Sequence, residues 1–552
     1  MKDKIVSEIN NSSVMKVVRR LEDKLIYMMM SAESISGKLP ECFVVALYSV
    51  LHLAVGLVHE PWYDEAQAWQ IARSASLWEI IFEIPHYEGH PQLWHLILVP
   101  FAKTGMPYEL SLSIITLLIT GSAVLLMVLY APFPRVVKWL LPFTYFLFYQ
   151  YGIVARPYCL MVLAFVLLAL AYEKRMQEPW KYTLCLFLLC QTSAYGIVIA
   201  GGVAFLWLIE CVGKRKNIWW LAGLLLAALL LMLTLVPGED TYAVHSPLHG
   251  EAINSVWYRL YYMLFVSLPD VLLTNVFYEY SFLKHMQFSL YDGIWGGGVG
   301  LLLLGMIFIY GKRKKTVALF FVPFCLFAVS ASVLYCTAHH IGITLLIFLF
   351  WWWISLGKPE KKLPWRGMVL PGALMLCVML FWSGTAVVHE VRADFGVGRS
   401  MAEFIKEHHL DSYRIMTQWK CLYDDDGSLV ASDTNMCLGA CDVAPYFAHN
   451  LCYNFGEGAD SENYVSHKIP TEEENEKRYE TWKKQGYPDV LLMSPDIGLV
   501  WEAEELSYRD YVMVYFKTAE MPWKVNVSNS TGVIFVRKDL ASKLGLKTVG
   551  SK

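Results

Sequence analysis

The sequence predicts an all-α polytopic membrane bundle followed by a small α/β domain. Of its 552 residues, 56% are hydrophobic and only 17% are charged, a balance typical of membrane proteins. Apolar stretches of membrane-spanning length recur as far as position 391, and beyond Arg392 charged residues become frequent. The formal net charge of -3 at pH 7 is too small to indicate nucleic acid as a partner.

The first membrane helix is predicted from the run CFVVALYSVLHLAVGLV at 42–58. The chain before it, up to about Lys38, is polar and contains Lys16, Arg19 and Arg20. The run is about long enough to cross a bilayer, and no small-residue cleavage site clearly follows it. We therefore predict an uncleaved signal-anchor helix whose start is cytoplasmic.

Ten further apolar stretches predict about 11 transmembrane crossings in one helical bundle over residues 1–391. They lie near 108–130, 138–153, 157–172, 181–195, 196–213, 217–236, 293–311, 316–335, 340–357 and 367–388. The loops assigned to the cytoplasm contain 16 Lys and Arg residues, whereas the outer loops before Arg392 contain five. This bias follows the positive-inside rule. An odd number of crossings then makes the C-terminal domain extracytoplasmic.

Two predicted outer segments, 59–107 and 237–292, are too long to be simple turns. In the first, SLWEIIFEI and PQLWHLILVPFA have apolar residues at helical spacing, with Trp78 and Trp94 as predicted interface anchors. The second contains VWYRLYYMLFVSL, which is similar in character. We expect both segments to fold back onto the membrane surface as helices.

Residues 392–552 are predicted to form one extracytoplasmic α/β domain. SMAEFIKEHH is typical of a short helix, and VLLMS, YVMVYF and GVIFV are typical of strands. The segment contains Cys421, Cys437, Cys441 and Cys452, an even set that permits two disulfides in any of three connectivities. A metal site is disfavoured because no second cysteine pair or histidine cluster matches the 437/441 spacing.

Polar residues gather in four segments that the topology places at the outer ends of spans. They are Asp64, Glu65 and Arg73; His86, Glu88 and His90 in HYEGHPQLW; Arg156 and Tyr158 in YGIVARPYCL; and His339 and His340 in YCTAHHIG. Ionisable side chains at membrane depth are costly, so they indicate function by default. We predict that the four segments converge on one site.

Several of these residues also fit purely structural roles. Asp64 fits either a general base or the cap of a helix beginning near Ala66. Glu65 fits an acceptor-orienting group or a carboxylate that faces water. Glu88 fits an acceptor or metal ligand as well as a solvated loop residue. Arg156 fits a phosphate ligand or a side chain that snorkels to the interface.

Three of the segments resemble a known family. YDEAQAW beyond the first helix, YEGHPQLWHLIL soon after and ARPYCLMVLAF at the start of a later helix resemble the GT-C glycosyltransferases that use polyprenyl-phosphate sugars. Protein O-mannosyltransferases and bacterial lipid A aminoarabinose transferases belong to this group. The resemblance is clearest over 42–212 and is greatest to bacterial enzymes that transfer sugars to envelope glycans. His90 stands where the aminoarabinose transferases have lysine, so their substrate is not carried over.

The resemblance implies a GT-C type bundle in a bacterial plasma membrane, acting as an inverting glycosyltransferase. The sugar would move from a polyprenyl-phosphate donor to an extracytoplasmic glycan, lipid or protein. Asp64 matches the first acidic residue of the family's loop and would be the general base. Arg156 suits the leaving phosphate, and His90, His339 and His340 suit hydrogen-bond donation, although interfacial hydrogen bonding also explains the last two. No cofactor is implied with certainty, and a divalent metal is left open.

Two other functional classes share the predicted bundle. A transporter or flippase of lipid-linked sugars would also bind a lipid phosphate, but it is expected to have charged or broken helices near the membrane midplane. A catalytically inactive relative that only binds glycan would keep the same fold. No nucleotide-binding glycine fingerprint appears, and GIWGGGVG at 293–300 is interpreted as a flexible or closely packed helix start.

Overall fold

The computed structural model has helices through most of the chain and a small sheet near its C-terminus. The structure describes residues 13–238, 252–273, 290–334, 336, 339–357, 369–417, 421–423, 429–432, 442–449, 451, 473, 484, 488–493, 510–523 and 526–549. The predicted class, a helical membrane protein with a small C-terminal sheet, is confirmed at this level.

The longer helices follow one another closely along the chain. They are α1 (Ser13–Ser34), α2 (Leu39–Gly56), α3 (Tyr63–Ser74), α4 (Leu93–Lys103), α5 (Tyr108–Tyr130), α6 (Tyr158–Tyr172), α7 (Pro179–Cys190), α8 (Ala194–Lys214), α9 (Ile218–Leu235), α10 (Ala252–Tyr261), α11 (Leu290–Lys314), α12 (Val317–Val333), α13 (Gly342–Leu356), α14 (Val369–Arg392), α15 (Gly398–Glu407) and α16 (Lys538–Leu544). Shorter helical segments lie at Glu79–Glu83, Pro85–Glu88, Arg135–Leu140, Leu141–Phe143, Tyr145–Ile153, Tyr262–Val266, Ser267–Leu273, Leu410–Ser412 and Ala444–Tyr446.

Six described helices are long and apolar enough to cross a membrane: α2, α5, α8, α9, the part of α11 from Trp295, and α14. Each coincides with a predicted span. The other five predicted spans coincide with α6, α7, α12, α13 and the segment Tyr145–Ile153, all shorter than 18 residues. A helix rises only about 1.5 Å per residue, so six of the described helices are long enough to cross a bilayer, and the eleven crossings stay a prediction.

The segment after α2 forms helices, but one predicted interface anchor lies inside the protein. Trp78 is 65% exposed, as an anchor would be, whereas Trp94 is only 1% exposed. The Trp94 prediction is wrong because α4 packs against α3 and directs this indole into an apolar cluster that includes Trp69 and Leu98. Sequence periodicity alone does not distinguish a membrane-facing stripe from a protein-facing one.

The second long segment is described from position 252 to 273. VWYRLYYMLFVSL covers the end of α10 and the Tyr262–Val266 segment, and Met263 is fully buried. The glycine-rich start of α11 packs against this segment. A Cβ atom at Gly297 would overlap the Tyr261 hydroxyl, and one at Gly300 would overlap the Phe265 carbonyl. Of the two interpretations of GIWGGGVG, close packing is therefore correct.

The centre of the bundle contains a π-helical segment, Tyr145–Ile153, in which all nine residues are buried. It contacts α2, α5 and α14. Single π-helical stretches often mark functional sites, because they redirect side chains within an otherwise regular helix. This segment ends three residues before Arg156. Its path through the bundle therefore determines where the backbone of Arg156 lies.

The C-terminal region contains helix α15 and a four-stranded sheet in the order β1-β4-β6-β5. The strands are β1 (Ile415–Thr417), β2 (Cys421–Tyr423), β3 (Leu429–Ser432), β4 (Val490–Met493), β5 (Tyr511–Trp523) and β6 (Asn526–Arg537), with β2 and β3 forming a separate pair. β1 runs parallel to β4, and the other neighbours are antiparallel. The predicted helix and three predicted strands are confirmed. The predicted disulfides fall outside the described residues, since Cys437, Cys441 and Cys452 are not among them.

Candidate functional site

The site begins where α2 ends and α3 starts. Helix α3 begins at Tyr63, so Asp64 is its second residue and Glu65 its third. The Glu65 carboxylate reaches back and accepts the backbone N–H of Trp62 at 3.0 Å, as a third-position glutamate does in a capping box. The capping role considered for Asp64 therefore belongs to Glu65. Asp64 is left to project from the first turn.

Asp64 forms an ion pair with Arg156, which belongs to a segment far along the chain. Their side chains are 26% and 12% exposed respectively, so the pair is mostly enclosed yet open on one side. The guanidinium carbon of Arg156 also lies 5.7 Å from the ring centroids of both Trp62 and Tyr158. Arginine commonly stacks on aromatic faces in this way.

Tyr158 connects this pair to the three predicted histidines. Its buried ring lies 6.2 Å from the ring of His90, 5.6 Å from that of His339 and 5.8 Å from that of His340, measured between centroids. His339 and His340 are themselves 4.1 Å apart and both buried. Burial, with added repulsion from His340 and Arg156, lowers the pKa of His339 well below its ordinary value. A neutral imidazole can both donate and accept hydrogen bonds.

Glu88 lies beside the same helix as Asp64. Gln67, one turn after Asp64, donates a hydrogen bond to the Glu88 carboxylate at 2.8 Å. The side chain is half-buried, and burial raises the pKa of Glu88 to about 8. Glu88 is thus not a fully solvated loop residue. Gly89 follows with a φ of 63°, which suits glycine and turns the chain toward His90.

Glu65 does not face water, and this alternative is wrong. The residue is fully buried, and besides the Trp62 amide it accepts the backbone N–H of Ala155 at 2.6 Å. Its second oxygen is 3.1 Å from His59 Nε2. These groups contact both oxygens of the Glu65 carboxylate, one of which holds the backbone next to Arg156. Its predicted role in catalysis stays a prediction.

His59 and Glu390 were not predicted as parts of the site. His59 Nδ1 lies 2.8 Å from a Glu390 oxygen, and the Tyr149 hydroxyl donates to the same oxygen at 2.6 Å. Burial favours neutral imidazole, but Glu390 and then Glu65 outweigh it and raise the pKa of His59 to about 10. A signal was available, because Glu390 is an ionisable residue at the end of an apolar span.

Two polar residues of the predicted clusters lie away from the Asp64–Arg156 pair. Arg73 donates to the backbone carbonyl of Phe447 at 2.6 Å, so it belongs to the contact with the C-terminal region. His86 Nδ1 contacts the Val236 carbonyl at the end of α9. Arg73 lies nine residues after Asp64 on α3, and His86 lies in the separate short helix Pro85–Glu88.

A narrow apolar groove lies between three helices, two of which start beside the site. It is lined by residues of α5, α6 and α13, among them Val162, Phe165 and Phe350. Helix α6 begins at Tyr158, and α13 begins two residues after His340. The groove thus follows the same helices away from the polar cluster, and its lining suits a hydrocarbon chain.

Within the described ranges, no group of three or more His, Cys, Asp and Glu side chains is arranged to hold a metal ion. A divalent metal, left open above, has no ligand set there.

The site thus joins a carboxylate, a guanidinium and a patch of aromatic and imidazole rings at one end of several helices. A carboxylate can take a proton, and a guanidinium can neutralise an anionic leaving group. Comparison of the chain with protein-family models, with curated proteins and with solved structures gives no match. The likeness of YDEAQAW and ARPYCLMVLAF to the GT-C glycosyltransferases therefore remains a resemblance.

Proposed function

We propose that the chain is an integral-membrane, inverting glycosyltransferase of the GT-C type, with about 11 crossings and an extracytoplasmic C-terminal domain. It would move a sugar from a polyprenyl phosphate to an extracytoplasmic glycan, lipid or protein. The observation that carries the proposal is the Asp64–Arg156 pair, set among Tyr158 and three histidines from distant segments. The six long apolar helices support a multi-pass protein, and we assign it to a bacterial plasma membrane.

In the proposed reaction, Asp64 takes the proton of the acceptor hydroxyl as its oxygen bonds to the anomeric carbon of the sugar. The bond between that carbon and the phosphate oxygen breaks, and its electron pair leaves with polyprenyl phosphate. Because attack is opposite to the leaving group, the anomeric configuration inverts. The phosphate leaves as an anion, so one base and a cationic group suffice, unlike the two carboxylates used in glycoside hydrolysis.

The ion pair suggests how donor binding would prepare the base. A carboxylate that already accepts from a guanidinium is less available for a proton. A donor phosphate can occupy the guanidinium through two parallel hydrogen bonds, which frees the Asp64 oxygen. Asp64 would then become an effective base only when the donor is present, which limits wasteful reaction with water.

The apolar groove supports a lipid-linked donor. Its lining by α5, α6 and α13 offers a hydrocarbon surface further along two of the helices that begin beside the polar cluster. Burying each CH₂ group of a lipid stabilises binding by about 0.8 kcal/mol. The lining of the groove on α6 begins at Val162, four residues after Tyr158, so a lipid whose phosphate binds Arg156 would reach the groove by extending its prenyl chain along α6.

The test is sugar transfer by the purified full chain in liposomes, using a panel of synthetic prenyl-phosphate sugars with lipid and glycan acceptors. The variant Asp64→Asn keeps the shape of the side chain but cannot take the proton. We expect its turnover to fall about 100- to 10,000-fold. Asp510→Asn is the matched control, because Asp510 is an exposed carboxylate in the C-terminal region, and it should transfer like the native chain.

Normal transfer by Asp64→Asn would exclude Asp64 as the base. A different result would favour the transporter alternative: no transfer from any donor, together with movement of fluorescent prenyl-phosphate lipid across the bilayer. Binding of glycan without either activity would favour the inactive relative.

A further inference from the structure

We propose that Glu65, His59 and Glu390 form a buried chain of positioning residues that fixes the backbone under Arg156. This inference rests on the proposed function for its kinetic consequence, but its structural basis is independent. None of the three touches the predicted reacting groups. Together they connect α14 to the segment that carries Arg156.

The first link is between the adjacent acids Asp64 and Glu65 and the adjacent residues Ala155 and Arg156. Asp64 pairs with the side chain of Arg156, and Glu65 accepts the backbone N–H of Ala155 at 2.6 Å. Consecutive residues of a helix point about 100° apart, so the two carboxylates hold the facing segment at different points. A carboxylate that accepts a backbone N–H makes a charge-assisted bond, which is stronger than a neutral one. Glu65 thereby fixes the residue before the arginine.

The second link is His59. Its Nε2 lies 3.1 Å from Glu65 and its Nδ1 lies 2.8 Å from Glu390, and its ring packs 4.9 Å from that of Phe395. The imidazole is 3% exposed and Glu65 is fully buried. An unpaired buried carboxylate costs several kcal/mol, so Glu65 remains in place only while a cationic partner lies beside it.

The third link closes a ring. Tyr149 donates its hydroxyl proton to Glu390 at 2.6 Å, and Tyr149 belongs to the π-helical segment that ends just before Ala155. The ring therefore runs from the π segment through Glu390, His59 and Glu65 and back to the chain just beyond that segment. One buried network thus holds the middle of the π segment, at Tyr149, and the chain just beyond it, at Ala155. Each residue of the network has at least one partner in it, while the second Glu390 oxygen has no hydrogen-bond partner among the described residues.

The consequence is a requirement for precise placement of Arg156. Moving a catalytic group by about 1 Å can cost about 100-fold in rate even when the altered residue is remote. Loss of charge at Glu390 would leave His59 with one carboxylate, weaken its hold on Glu65 and loosen the Ala155 amide. The reaction would slow although Asp64 and Arg156 are intact.

The experiment compares Glu390→Gln with Glu41→Gln in the full chain. Glu41 is a suitable control because, like Glu390, it is buried and ion-paired, in its case with Arg135. It lies in the first turn of α2, whereas His59 follows the last turn of that helix. We expect Glu390→Gln to lower kcat for sugar transfer about 10- to 100-fold, with KM for the acceptor nearly unchanged. Glu41→Gln should lower stability without a comparable loss of kcat. Tyr149→Phe removes only a hydroxyl and should give a smaller loss, about threefold to tenfold.

Hydrogen–deuterium exchange of peptides that contain Ala155 and Arg156 gives a second readout. We expect faster exchange there in Glu390→Gln and Tyr149→Phe than in Glu41→Gln. Unchanged exchange and unchanged kcat in both variants would overturn the proposal, and so would equal effects in the Glu41→Gln control. If the native chain transfers no sugar, the proposed function fails, while the exchange measurement still decides whether the buried chain positions this segment.

Discussion

Arg156 is surrounded on three sides, by the carboxylate of Asp64 and by the rings of Trp62 and Tyr158. The rings restrict the plane of the guanidinium, and the carboxylate fixes one of its edges. The side chains of Arg156 and Asp64 are 12% and 26% exposed, so the pair is partly open to solvent. A planar fork in a fixed orientation is suited to a phosphate group, whereas a flexible ammonium would lose more entropy on binding.

This arrangement predicts that lysine does not replace arginine at position 156. We expect Arg156→Lys to lower kcat/KM for the prenyl-phosphate donor about 10- to 100-fold, and Arg156→Gln to lower it about 100- to 1,000-fold. Steady-state transfer in liposomes, with donor concentration varied, measures both.

The matched control for Arg156 lies just beyond the other end of the same helix. Arg175 also pairs with a carboxylate, that of Glu210, at 2.8 Å, and its guanidinium lies 3.9 Å from the Tyr172 ring centroid. Arg175→Lys should therefore show the general cost of losing a stacked, paired arginine, with little change in kcat/KM. Equal losses in Arg175→Lys and Arg156→Lys would contradict a specific role for Arg156.

The site residues differ in how far the sequence could predict them. Asp64, Arg156 and Tyr158 were found because ionisable residues at helix ends are rare and the topology places them at one level. The burial of Glu65 was not predicted, because adjacency in the chain does not show which way each side chain points on a helix. Glu390 had a signal as an ionisable residue at the end of an apolar span, but its contact with His59 joins residues 331 positions apart, which the sequence does not show.

At the level of elements, the packing of α11 shows which of its glycines lie against a neighbouring segment, which hydropathy does not reveal. Its glycines are not equivalent: a Cβ at Gly298 would meet nothing within 4 Å, whereas one at Gly300 would overlap a backbone oxygen of Phe265. A backbone atom cannot move aside as a side chain can. Gly300 therefore permits the close approach of α11 to the Tyr262–Val266 segment.

The two glycines predict opposite effects of the same substitution. Gly300→Ala should lower the free energy of unfolding by about 1–3 kcal/mol, because the helix must move away from its neighbour. Gly298→Ala should have no cost and should add up to about 1 kcal/mol through better helix propensity. Thermal unfolding of both variants in the same detergent measures the difference. A loss in Gly298→Ala as large as that in Gly300→Ala would contradict the packing argument.

Element positions were predictable, but element lengths and types were not. Apolar runs located the helices that are long enough to span, because hydrophobic length is a direct property of the sequence. The π-helical segment Tyr145–Ile153 was predicted only as part of a span, since its irregular turn depends on contacts with α2, α5 and α14. The buried position of Trp94 likewise depends on the packing of α4 on α3.

For the molecule as a whole, the C-terminal region contacts the chain just after the end of α2 and the first turn of α5. Glu60, just after α2, accepts the backbone N–H of Arg399 at 2.6 Å at the start of α15. The Arg399 side chain pairs with Glu109 at 2.9 Å, and Tyr446 donates to the same carboxylate at 2.6 Å. An acidic residue at a helix N-terminus is favourable because of the helix dipole. Glu60 is the residue after His59. The same short segment therefore contacts the C-terminal region through Glu60 and the buried network near Arg156 through His59.

Orientation in the membrane is the property on which site and function both depend. The inner-loop bias of Lys and Arg predicts that α1 is cytoplasmic and that the C-terminal region and the Asp64 site face outward. Single cysteines at the exposed positions Lys24, Lys216 and Lys547 test this with a maleimide that does not cross membranes. We expect Lys547→Cys to label in intact cells, and Lys24→Cys and Lys216→Cys to label only after permeabilisation, each compared with the parent chain to subtract its native cysteines. The reverse pattern would put Asp64 on the cytoplasmic side, where a donor presented at the outer surface could not reach it, and the proposed reaction would then be wrong even if the ion pair with Arg156 is correct.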